Sequence, residues 1–219
     1  MSPNRHLETH VQVPLVLLVP GSEHGAAYMS HWERTRTDAR QLQLGMWDAP
    51  HRNTWVNKLN LAIRRADRPV VLVTEGIACL AAAWWAEYEQ ADAEGAVIGA
   101  LLVLPPDVDR PGADPRLAGF GACPRSPLPF PSYLVAGPDN TPALRHSLTQ
   151  LARDWAADFV SDEIGADDWP QGEWLLDRLA RNDSRDSDSD EKLLRAPPVT
   201  DRSAPYFGSE YRTSPSIRG

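Results

Sequence analysis

Six short apolar runs, each closed by a turn and separated from the next by a longer amphipathic stretch, set what this chain can fold into. They are Val13–Val19, Leu42–Met46, Val70–Val73, Val97–Leu104, Ser132–Ala136 and Phe159–Ser161. Helical patterns fill the intervals near Met29–Ala39, Thr54–Ala66, Ile77–Gln90 and Pro142–Ala157, with a last one near Gly172–Arg181. Strands that alternate with helices of this length are joined by crossovers, which makes the sheet mostly parallel. Parallel strands covered on both faces are continuously hydrophobic rather than alternating, and these runs are. The expected architecture is α/β: a three-layer sandwich with a mostly parallel sheet of about six strands and helices on both faces.

The 219 residues suit one domain with a full core, over residues 1–180, followed by a tail over residues 181–219. The tail opens on an Asp/Ser block, Asp183–Glu191, and continues as a Pro/Ser/Arg/Tyr stretch. So little apolar surface cannot offset ordering entropy, and a disordered polar tail is expected. From Arg181 onward there are 7 acidic and 7 basic residues, so the whole net charge of −8 belongs to the body. A body of that sign argues against nucleic acid, because a backbone binder needs a basic face. The run Val13–Val19 is too short to span a bilayer and lacks signal-peptide flanks, so no membrane partner is expected. Cys79 and Cys123 form no disulfide framework and match no metal-ligand spacing. They read as buried free thiols in a reducing cytoplasm, with no metal and no cofactor called for.

One junction carries most of the functional information. The β-branched run Val70–Val73 feeds a tight turn at Thr74–Ala78 and then an Ala-rich helix. Strand, sharp turn and helix are the setting of a hydrolase nucleophile elbow, where a serine stands on a strained bend between small residues. Here the five elbow positions are Thr74, Glu75, Gly76, Ile77 and Ala78. Gly76 stands at the nucleophile position and has no side chain to attack with. Glycine also occupies such bends freely, which predicts a positive φ there.

Several segments carry a resemblance. Leu18-Val-Pro-Gly21 closes the first strand, followed by His31-Trp32, then Trp47-Asp-Ala-Pro50 and Trp55. Gly99 to Val108, Leu128-Pro-Phe-Pro-Ser132 and Trp169-Pro-Gln-Gly172 come after. Together, in this order over about residues 13–180, they resemble the small serine hydrolases of the retinoblastoma-binding-protein-nine and YdeN type, within the α/β-hydrolase superfamily. The resemblance implies an α/β-hydrolase-like domain and a Ser–acid–His triad in that chain order. The chain departs from it at the nucleophile and base positions, and at the acid position in one of two registers. Serine is replaced by Gly76 and the histidine before it by Glu75. The acid position falls on Asn140, although a slip of one residue places Asp139 there. The base follows the sixth strand in the family, whereas the last histidine of this chain is His146, ahead of that strand.

Other residues offer little in exchange. Glu75 is expected to be a solvent-facing or salt-bridged glutamate rather than a nucleophile, and Cys79 a core residue. His24 and His31 read as hydrogen-bonded loop residues, and Trp84, Trp85 and Trp155 as helix faces packed on the sheet. The pocket itself is expected to survive, with donors at Ser22 and the Ile77 N–H where an oxyanion hole would form. Asp139 and the acidic segment with Asp162, Glu163, Asp167 and Asp168 would make it electronegative, suited to a cation or a basic peptide, unless it is simply filled with water. The resulting expectation is a non-catalytic family member, a pseudoenzyme that binds or regulates an unknown small molecule or protein partner. The alternatives are an active hydrolase of small carboxylic esters or amides using non-standard residues, and an interaction scaffold whose tail is the functional element.

Overall fold

The computed structural model describes residues 12–89, 95–110, 112, 114–165 and 168–181. The expected tail, apart from Arg181, lies outside the described residues, as does Asp167 of the acidic segment. In chain order the elements are β1 (Leu15–Val19), α1 (Ala27–Thr35), β2 (Ala39–Gln41), α2 (Arg52–Arg64), β3 (Val70–Glu75) and α3 (Ala78–Glu89). They continue with β4 (Val97–Val103), β5 (Ser132–Ala136), α4 (Pro142–Asp154), β6 (Asp158–Ser161) and α5 (Pro170–Arg181), with a short 3-10 turn at Pro115–Gly119 between β4 and β5.

The six strands form one sheet in the order β2-β1-β3-β4-β5-β6, and every pairing is parallel. Side chains on a strand alternate between faces, so continuously apolar strands feed two cores at once. Leu15, Leu17, Val70, Leu72, Leu102 and Leu134 face one core, which is completed by Trp55 and Leu59 of α2, Ala82 and Trp85 of α3, and Leu148 and Leu151 of α4. Val16, Leu18, Val71, Val73, Leu101 and Val135 face the other, covered by Tyr28, Met29 and Trp32 of α1 and by Leu175, Leu176 and Leu179 of α5. This is the three-layer α/β sandwich expected from the sequence. No helix among the described residues is long and apolar enough to cross a membrane.

The second strand is a correction. The apolar run Leu42–Met46 is not a strand; β2 is the polar triplet Ala39–Gln41, in register with Val16–Leu18. An edge strand is covered less than an inner one and does not need to be apolar. The apolar run instead leaves the sheet: the Leu42 N–H donates to the Leu18 carbonyl at 2.8 Å, Leu44 is fully buried, and Gly45 and Met46 turn at φ +69° and +57°.

Parallel strands place all their carboxyl ends on one edge, which is where open α/β sheets hold ligands. That edge gathers the loop after β1, the β3–α3 junction, the long β4–β5 connection, and the turns after β5 and β6.

Candidate functional site

The β3–α3 junction is an elbow. β3 runs two residues beyond the apolar run, to Glu75, and α3 starts at Ala78, leaving Gly76 and Ile77 to make the turn. Gly76 has φ +56°, and its N–H donates to the Val103 carbonyl at 2.9 Å, tying the bend to β4. The Gly76 carbonyl accepts from the Cys79 N–H at 3.1 Å and so opens the helix. Apart from its own chain neighbours, a Cβ built on Gly76 would have no heavy atom of the described residues within 4 Å. The position of a nucleophile is therefore an open space above a correctly formed bend.

Cys79 lies beneath that space rather than in it. The Thr74 hydroxyl donates to its sulfur at 3.3 Å, and the thiol points to the carbonyls of Thr74 and Val103. Burial pushes this thiol up to about 12, so it stays protonated and unreactive, because the thiolate is the nucleophile. It fastens the elbow from below, as a core residue does. Cys123 is half-buried in the β4–β5 connection, and burial pushes it up to about 12 as well.

Glu75 differs from expectation. It is half-buried rather than solvent-facing, it forms no ion pair among the described residues, and its Oε2 accepts the backbone N–H of Ala26 at 3.0 Å. Burial raises its carboxyl above the usual glutamate value, while the N–H groups of Ala26 and Gly21 pull the other way. Gly21 itself presses on the elbow: a Cβ there would come within 2.3 Å of the Glu75 carbonyl oxygen and 3.2 Å of the Ile77 nitrogen. The opposite side of Gly21 is held by Arg116, whose Nη1 donates to the Gly21 carbonyl at 3.2 Å while its guanidinium forks onto Asp114. The loop after β1 is thus clamped between the elbow and the β4–β5 connection.

The remaining sequence candidates separate. Ser22 is exposed, and its Oγ accepts the Gly25 N–H at 3.2 Å, closing its own turn. Ile77 is buried, with its nitrogen beside Gly21. Asp139 is exposed and Asn140 half-buried in the turn between β5 and α4, where Thr141 caps the helix by accepting the Leu144 N–H. β4 lies between that turn's strand and β3. Asp162 is committed elsewhere: its Oδ2 accepts the indole N–H of Trp169 at 2.7 Å, while Glu163 and Asp168 are exposed. His24 and His146 are exposed and His31 is half-buried on α1. Among the described residues no three His, Cys, Asp or Glu side chains are grouped to hold a metal ion. An apolar cleft of about 320 Å³ opens next to Leu80, one turn beyond the elbow, lined further by Val108, Pro115, Leu117, Ala122 and Cys123.

Gly21, Ala26, Tyr28 and Arg116 carry this site and were not singled out from the sequence as binding residues. Only Gly21 left a signal, the Pro20-Gly21 turn at the end of an apolar run. Arg116 sits 95 residues from its acceptor in a connection with no periodic pattern, and nothing local announces it.

Comparison with known proteins fits this geometry. Residues 16–178 match the family model described as serine hydrolase. A protein of Pectobacterium atrosepticum called a YdeN-like hydrolase is 25% identical, with 79% of this chain and 92% of that chain covered at a TM-score of 0.59. The ydeN gene product of B. subtilis is 17% identical over 76% of this chain and 98% of that chain, at a TM-score of 0.57. The Vlm2 thioesterase domain, 16% identical over 76% of this chain and 92% of that chain at a TM-score of 0.53, shares the fold. No curated protein matches the chain in sequence.

Proposed function

This chain belongs to the serine hydrolase family, and from that premise we propose that it has given up the family's acyl chemistry and acts as a binding or regulatory member. The observation that carries the reading is Gly76: a residue at φ +56° on the strand–helix bend, with open space where a nucleophile's side chain would stand. The serine hydroxyl of such a site needs a base to take its proton and an acid to hold that base. With the hydroxyl gone, the base and acid have nothing to act on, and removing them as well costs little more, since the three work as a unit. The sequence fits such a loss, with no histidine after His146 and, in the register without a one-residue slip to Asp139, Asn140 at the acid position.

The competing reading, an active hydrolase of small esters or amides with other residues, needs a nucleophile near the elbow. Cys79 and Cys123 both have thiols pushed up to about 12. The Glu75 carboxyl is hydrogen-bonded into the loop after β1. None of the three is poised to attack. The vacated elbow and the loops around it then serve to bind a small molecule or a protein partner. The experiment is turnover of a nitrophenyl ester: the expected rate is that of buffer alone. Hydrolysis that survives repurification and is abolished by a single substitution at this edge of the sheet would overturn the proposal.

A further inference from the structure

In a serine hydrolase of this fold the developing oxyanion takes two backbone donors, one from the residue after the nucleophile and one from a loop at the same edge of the sheet. The equivalent places here are the Ile77 N–H and the loop 20–26 that closes against it. The loop's donors are not free. Ala26 donates to Glu75 Oε2 at 3.0 Å across 49 residues of chain, and the Gly21 N–H is directed at the same carboxyl. Ala26 is also the residue that caps α1, a nine-residue helix with no side-chain cap of its own. The Glu75 carboxyl therefore accepts, from β3, the N-cap N–H that a Glu or Gln at position 29, the third residue of the helix, would take in a capping box.

A second observation points to the same spot. Tyr28, in the first turn of α1, is fully buried and its hydroxyl has no hydrogen-bond partner among the described residues. It lies within electrostatic reach of Glu75 and Cys79. A buried hydroxyl left unpaired is costly and marks a place built to accept one more polar group. Gly76, the residue that follows Glu75, has open space where a Cβ would stand.

We propose that the Glu75 carboxyl is the resident occupant of the donor pocket formed by loop 20–26 and α1, standing where the carbonyl or carboxylate of a ligand would otherwise bind and locking the loop onto the elbow. The inference rests on the non-catalytic reading above, because a residue in this position would obstruct acyl chemistry. It deepens that reading by naming what the site excludes: while Glu75 is in place, carboxylates and acyl carbonyls are kept from the loop donors. Removing the side chain should expose a site for a small carboxylate, lined by the Ala26 and Gly21 N–H groups and the Tyr28 hydroxyl.

The test is amide NMR of the full chain with sodium acetate as the probe, for the wild type, Glu75→Ala and Glu75→Gln. In Glu75→Ala the Ala26 amide is expected to exchange with solvent at least tenfold faster, and acetate is expected to shift the Gly21 and Ala26 resonances and slow that exchange. In the wild type acetate should leave both amides unmoved, and Glu75→Gln, which keeps an acceptor, should keep Ala26 protected. Acetate shifts in the wild type, or an Ala26 amide equally protected in Glu75→Ala, would overturn the proposal. If Glu75→Ala does not fold, pH titration decides. The groups facing Glu75 are Tyr28 from α1 and Cys79 from α3, both held protonated by burial, and Arg116 is bonded to Gly21 behind it. Glu23 and His24 share the loop with Ala26 and are unchanged in Glu75→Gln, so the Ala26 amide shift that reports Glu75 is the one present in the wild type and lost in Glu75→Gln. A flat wild-type curve would overturn the lock. Ester turnover by the wild type would sink the functional reading while leaving these amide measurements standing, so the two failures are distinguishable.

Discussion

Two glycine-to-alanine substitutions, 55 positions apart in sequence and neighbours in space, separate conformational strain from steric crowding at the elbow. Gly76→Ala places a Cβ in open space, with no heavy atom of the described residues beyond its chain neighbours within 4 Å, so its cost is the φ of +56°. A left-handed conformation costs an L-residue about 1–2 kcal/mol, and the lower unfolded-state entropy of alanine returns about 0.4–1 kcal/mol. The net loss is about 1 kcal/mol, or about 2–4 °C in Tm for a domain of this size. Gly21→Ala has the opposite profile. Gly21 is not at positive φ, but its Cβ would lie 2.3 Å from the Glu75 carbonyl oxygen, a backbone atom that cannot move without β3. Overpacking of that kind costs about 1–3 kcal/mol or more, and it would also loosen Gly21 from Arg116. The expected order is Gly21→Ala clearly less stable than Gly76→Ala, read as midpoints in urea with unchanged m-values. If Gly76→Ala is the more damaging of the two, or stabilises the protein, the assignment of Gly76 as a relaxed bend above an empty space is wrong.

Asp162→Ala would leave the buried Trp169 indole N–H without its acceptor, and an unsatisfied buried donor costs about 1–3 kcal/mol. The check is a Tm lowered by several degrees, whereas an unchanged Tm would mean the contact is not stabilising. Glu75 makes a signed pH prediction. Its folded carboxyl is raised, so the folded state binds its proton more tightly than the unfolded chain; its contribution to stability is full below the ordinary glutamate range and is lost as pH rises through the folded value. Stability of the wild type relative to Glu75→Gln should therefore fall as pH rises above the ordinary glutamate range, and a difference that grows with rising pH would refute the burial argument. Gly76→Ser restores a hydroxyl to the elbow but no base after β6, so nitrophenyl ester turnover should stay at the buffer rate.

The fold was legible where the physics is local. Val70–Val73 and Val97–Leu104 read as buried parallel strands because a strand covered on both faces must be apolar throughout. β2 was not legible, since an edge strand escapes that requirement and Ala39–Gln41 carries no apolar signal; the eye goes instead to Leu42 and Leu44, which are apolar because they enter the core from a loop. At the site, the bend at Gly76 could be read from the strand–turn–helix context and the glycine itself. The bond from Ala26 to Glu75 could not, because its partners are set by the path of the loop after β1 and by the Arg116 clamp, both products of the closed fold. Glutamate next to the elbow looks like a surface residue in sequence and is an internal cap in the structure.

The central claim, that the elbow holds no activated serine, is tested most directly by incubating the purified protein with a fluorophosphonate and measuring its intact mass. The account predicts an unchanged mass, since Gly76 offers no hydroxyl and no histidine follows His146. A stoichiometric phosphonyl adduct on any serine at the carboxyl edge of the sheet would contradict it.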